Sequence, residues 1–115
     1  MSVVVSNRLL NEVIRVLNKF EDNILAGNFD KGRDCIIQDI LRLDPICREK
    51  GYYELTKDVE VPNASFVEMF SGFMFDAAKN DGKIDLDLMI ALIPVWADKI
   101  REEGLDGSLK RTTET

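Results

Sequence analysis

The spacing of apolar residues predicts an all-α fold, a compact bundle of four main helices plus one short helix, and three observations carry that prediction. Apolar residues recur at intervals of three and four through four separate stretches, the pattern of a helix with one buried face. Each stretch follows a residue suited to capping a helix: Ser6, Asp30, Ser65 and Asp85. The one two-residue alternation, Val59 and Val61 among Asp58 and Glu60, is too short to build a sheet, because a lone strand has nothing to pair its amides.

The first helix is expected from Asn7 to Ala26. Leu10, Val13, Leu17, Phe20 and Ile24 form its stripe, and Leu9, Ile14, Val16 and Leu25 widen it into a broad buried face. Gly27 follows at the position where a left-handed residue closes a helix. Glu12 with Arg15, and Lys19 with Asp22, stand three residues apart on the other side, a spacing that suits solubilising pairs better than a site.

After Asn28 and Phe29, Asp30 caps a helix from Lys31 to Leu43 with Ile36, Ile37, Ile40, Leu41 and Leu43 inward. Asp44 before Pro45 reads as a fresh cap and first-turn proline, since proline lacks the amide that would go unpaired there. A short helix therefore restarts after Pro45 and ends near Lys50, ahead of Gly51. Residues 51–64 then lose the helical period and read as an irregular crossover. Adjacent tyrosines on such a stretch offer large area and polar tips, so Tyr52 and Tyr53, with Glu54, Asp58 and Glu60, are the candidate partner-binding residues. The structural alternative is that one ring fills the core and the other lies on the surface.

The remaining pair of helices is the expected centre of the molecule. It holds the only Trp, four of the six Phe and three of the four Met. Ser65 and Glu68 have capping-box spacing and start a helix from Phe66 to Lys79, with Phe66, Met69, Phe70, Phe73, Met74 and Ala77 on one face and Gly72 admitting a close neighbour. Asn80, Asp81 and Gly82 turn the chain. Asp85 then caps a helix from Leu86 to Glu103, Ile84 packing on Met89 as a staple and Met89, Ile93, Trp96 and Ile100 facing inward. Pro94 inside this helix predicts a kink. Residues 1–104 are thus read as a single helical domain and residues 105–115 as a flexible tail.

Composition narrows function mainly by exclusion. With 115 residues, 45% apolar and 31% charged, the chain has the balance of one globular domain. The net charge of −6 is uneven: residues 1–50 carry eight basic and eight acidic side chains, residues 51–115 seven and thirteen. Bases interleaved with acids form no stripe to neutralise phosphates, so direct nucleic-acid binding is not expected. Apolar runs are far short of the roughly 20 residues that cross a bilayer, and polar residues follow Met1 to Val5 at once, so neither a membrane span nor a signal peptide is read and a cytoplasmic location is expected. Cys35 and Cys47 match neither a zinc nor a redox spacing and are read as free thiols. Histidine is absent, which removes the commonest general base and metal ligand.

The sharpest motif is Asn80-Asp81-Gly82-Lys83-Ile84-Asp85, set between helices like the middle of a calcium loop. Aligning Gly82 with that loop's glycine puts Ala77, Lys79 and Leu88 where oxygen donors are needed. A turn and a cap explain Asp81 and Asp85 better. No phosphate-loop, dinucleotide, nucleophile-elbow or zinc-protease signature is present. The expectation is therefore a non-catalytic protein-binding module acting by surface contact, such as an inhibitor, immunity or anti-defence factor or a small assembly subunit, without a cofactor. Its partner is another protein, for which a basic surface suits the acidic half, or a second copy in a homodimer. The alternatives are a metal-dependent regulator or small enzyme using the acidic turn Asp81 to Asp87, with Asp85 between them, and an acidic mimic of nucleic acid.

Overall fold

A computed structural model describes residues 6–49 and 63–106. These residues are all-helical: α1 spans Asn7–Leu25, α2 Phe29–Glu49, α3 Phe66–Lys79 and α4 Leu86–Glu102, with no strand among the described residues. No helix among them is long and apolar enough to cross a membrane.

The caps are largely those expected. Ser6 Oγ accepts from the Leu9 amide at 3.2 Å, and Asp85 Oδ1 accepts from the Leu88 amide at 3.1 Å. Gly27, at φ 80°, closes α1 as the amides of Gly27 and Asn28 donate to Ile24 and Asn23. The capping box is only half reciprocal. Ser65 Oγ accepts from the Glu68 amide at 3.1 Å, but the Glu68 carboxylate accepts from the Ser65 hydroxyl rather than from an amide. Instead Glu103, beyond the end of α4, accepts from the Phe66 amide with both oxygens at 3.2 Å. A carboxylate is thereby placed on the positive end of α3.

The short helix expected after Pro45 is not separate, because α2 runs unbroken through that proline. Ile36, Ile37, Ile40, Leu43 and Cys47 keep one buried face across it, and that burial outweighs the roughly 3 kcal/mol an interior proline costs. Pro45 itself lies on the solvent side. The Asp44 carboxylate, read as a cap, is 2% exposed and turned to arginines instead. Asp30 likewise lies in the first turn of α2, not before it. Asn28 precedes the helix and its carbonyl accepts from the Gly32 amide at 2.9 Å.

The most enclosed element is α4. It packs on each of the other three helices, most extensively on α2, and buries Met89, Ile90, Ala91, Ile93, Pro94, Trp96, Ala97 and Ile100. It continues as helix through Pro94. Trp96 is 1% exposed and sits edge-on to Phe70 and Phe73, with ring centroids at 5.4 and 5.3 Å. Phe20 of α1 meets Phe70 edge-on at 5.1 Å, carrying the aromatic cluster from α4 across α3 to α1.

One further expectation is corrected. Gly72 admits no neighbour, since a Cβ there would have nothing within 4 Å. The glycine at a close approach is Gly32, where a Cβ would lie 3.3 Å from both Asn23 Cβ and Ile24 Cδ1 and so would crowd α1. Gly104, at φ 75°, closes α4 with the Leu105 amide donating to Ile100, and Leu105 packs on the core. Residues 107–115, and residues 50–62 of the expected crossover, lie outside the described residues.

Candidate functional site

The candidate partner-binding residues Tyr52, Tyr53, Glu54, Asp58 and Glu60 lie outside the described residues. Within the described residues, the groups able to do chemistry are largely committed to one another. Asp44 Oδ1 accepts from Arg48 Nε at 2.6 Å, and Asp44 Oδ2 lies 2.9 Å from Arg101 Nη2. Arg48 Nη2 also donates to Asp98 Oδ1 at 2.7 Å and to the Pro94 carbonyl at 3.1 Å. The hydrogen bond to Asp44 pushes the Arg48 guanidinium above its usual pKa. This lattice of charges joins α2 to α4, so it serves packing.

Cys47 lies beside it, fully buried. Burial first, and the Asp44 charge second, push its thiol up to about 12, which keeps it neutral and a poor nucleophile. Cys35 is half-buried, and both thiols are free.

A second set of charges bridges α1 and α2. Lys19 Nζ lies 2.8 Å from Asp39 Oδ2, replacing the expected pairing with Asp22. Arg42 reaches Asp39 Oδ1 at 3.4 Å and Glu12 Oε2 at 3.5 Å, while Arg15 meets Glu12 at 3.4 Å as expected. Asp39 is 7% exposed, and its Oδ2 is the one buried side-chain oxygen among the described residues without a hydrogen bond. The ammonium of Lys19 holds it by charge. Both residues line a groove of about 450 Å³ with Lys31, Asp34, Cys35 and Gln38. Its charges oppose and neutralise one another, which leaves no field to gather an ionic ligand.

At the acidic turn, Asp81 takes the left-handed conformation at φ 57° and Gly82 follows at φ 75°, its amide donating to Ala77. Asp85 is engaged as a cap. No three of Asp81, Asp85, Asp87 and the other acids and cysteines among the described residues converge on a point where an ion could sit.

Several large apolar side chains are also exposed. Leu25, the last residue of α1, is 78% exposed, and Phe29, the first of α2, is 63% exposed. Only the closed turn at Ala26, Gly27 and Asn28 separates them, so both stand at one corner of the bundle. Phe75 and Val67 of α3 are exposed as well, with Lys79 Nζ 4.5 Å from the Phe75 ring centre. Sequence reasoning placed Leu25 in the core and Phe29 in a connection. The signal against that is angular and holds for Leu25: at about 100° per residue it falls roughly 100° from the centre of the stripe formed by Leu10, Val13, Leu17, Phe20 and Ile24, and it is exposed. Compared with protein-family models, with curated proteins and with solved structures, the chain matches none, so function is read from these surfaces.

Proposed function

We propose that the chain is a non-catalytic protein-binding module of the cytoplasm, acting by surface contact as an inhibitor, immunity or anti-defence factor or small assembly subunit would. The observation that carries this reading is the pair Leu25 and Phe29, large apolar side chains exposed on either side of the turn at Ala26, Gly27 and Asn28. Exposed apolar residues that form a contiguous patch on a monomer mark interaction sites. Burying each against a partner is worth roughly 1.5 to 3 kcal/mol. Tyr52 and Tyr53, with Glu54, Asp58 and Glu60, are proposed as further contacts.

The test is affinity capture from native extract of the source cells, with wild type and the double variant Leu25→Asp/Phe29→Asp compared side by side. One protein retained in stoichiometric amount by wild type and lost from the variant, with circular dichroism unchanged, is the expected result. Recovery of no stoichiometric protein by wild type refutes the reading, and equal recovery by both moves the contact away from this corner.

A further inference from the structure

The outer face of α3 carries a second surface, with a different logic from the α1–α2 corner. At about 100° per residue, Glu68, Ser71, Gly72, Phe75 and Lys79 fall on one side of α3, opposite the buried Phe66, Phe70 and Ala77, and all five are exposed. Glu68, Gly72, Phe75 and Lys79 are spaced by four, three and four residues, the interval at which side chains of one helix meet another along a seam. At the centre of this seam Phe75, 59% exposed, stands next to Gly72, above which a Cβ would touch nothing within 4 Å. A projecting ring thus adjoins a bare stretch of helix backbone on the same face. Near the ends, an acid lies in the first turn and a base in the last.

We propose that this face binds a second copy of the chain, α3 lying antiparallel on α3 about a two-fold axis between Gly72 and Phe75. The seam is complementary to itself in that arrangement alone. Turning one copy about the axis brings Phe75 level with Gly72 of its partner, so each ring lies over backbone left bare by the other's glycine. The same rotation brings Glu68 level with Lys79 in both directions. Antiparallel packing also sets each helix's positive end beside the other's negative end. Parallel packing would instead set Phe75 on Phe75, Glu68 on Glu68 and Lys79 on Lys79. Among the described residues Lys79 meets the Phe75 ring and no carboxylate, so its charge can be matched across the axis. One pair of helix faces falls at the low end of the interface range, below about 1,200 Å², and the dimer is accordingly weak, with a dissociation constant of roughly 10 to 100 µM.

Sedimentation equilibrium of the full chain from about 5 to about 500 µM spans that range. The average mass should climb from the 13.1 kDa monomer toward twice that value. Glu68→Lys and Lys79→Glu each set like charges together twice across the axis and should each weaken association about tenfold or more. An equimolar mixture of the two restores both attractive pairs and should associate at least as tightly as wild type. Gly72→Gln sets a side chain where the partner's ring would lie, with open space around its Cβ inside the monomer, so it should abolish association while the thermal midpoint holds or rises. A wild type that stays monomeric at the highest concentration overturns the proposal. So do charge variants that associate undiminished, or a mixture no tighter than its components. A monomeric result leaves the corner at Leu25 and Phe29 untouched, since those residues take no part in the seam.

Discussion

Asp44 separates two accounts of how α2 is built, and Asp44→Asn distinguishes them. As the cap of a new helix ahead of Pro45, Asp44 would accept replacement with little change, because asparagine caps as well as aspartate. In the structure its carboxylate is instead almost wholly enclosed, 2.6 Å from Arg48 and 2.9 Å from Arg101. Removing the charge from a buried pair typically costs about 3 to 5 kcal/mol, because the partner is left buried and unmatched. Here the arginine side chains are 42% and 43% exposed, so water compensates part of the loss and the expected cost falls to about 2 to 3 kcal/mol. For a domain of this size, with a urea dependence of roughly 1 to 1.5 kcal/mol per molar, the midpoint drops by about 2 M. Urea titration at neutral pH, followed by the fluorescence of Trp96, reads that shift directly. Asp98→Asn is the internal control: Asp98 bonds the same Arg48 at 2.7 Å but is 66% exposed, so its loss should cost under about 1 kcal/mol. An Asp44→Asn midpoint within about 0.5 kcal/mol of wild type would refute the buried network.

Three other outcomes follow from the packing. Gly72→Ala, in open space, should stabilise α3 by about 0.5 to 1 kcal/mol through helix propensity, whereas Gly32→Ala should destabilise by about 1 kcal/mol because its Cβ presses on Asn23 Cβ, which is tied to backbone; paired thermal melts read both signs. Trp96→Ala should cost roughly 3 to 5 kcal/mol, and the native protein should show blue-shifted emission that iodide quenches poorly; red-shifted, quenchable emission contradicts the burial. The Cys47 thiol rises from 9.0 to about 12 on folding, so between those values the unfolded chain ionises while the folded one does not. Its contribution is intact below pH 9 and declines above it, by up to about 4 kcal/mol; Cys47→Ala should flatten this alkaline limb in urea titrations. In the native state one thiol, Cys35, should react with a thiol reagent, and two after denaturation.

The helices legible in the sequence were those whose ends are set by their own residues. Ser6, Gly27, Ser65, Asp85 and Gly104 act on amides or carbonyls within a few positions, so α1, α3 and α4 begin and end within a residue of expectation. Asp44 and Pro45 carry an equally local signal that misleads, because the deciding partner, Arg101, comes from another helix. Gly32 and Gly72 exchange roles for the same reason: which glycine meets a neighbour depends on how α1 and α2 are laid together. The corner at Leu25 and Phe29 was half legible, through the angle of Leu25 on the helical wheel. Phe29 joined the helix because Asn28 both closes α1 and opens α2, leaving no connection for it to occupy.

The reach of Glu103 to the Phe66 amide has a consequence for how the protein breathes. Its carboxylate crosses 37 positions of sequence to hold the start of α3, while the turn at Asn80 to Asp85 ties the other ends of the same two helices. The pair is therefore closed at both ends, like a buckled strap, and neither helix can fray at that edge without releasing the other. The Phe66 amide, first in its helix and ordinarily among the quickest to exchange with solvent, should be protected on the timescale of the whole unit's opening. Cutting the chain before Glu103 would accordingly loosen residues far upstream, so that the end of α4 governs the beginning of α3.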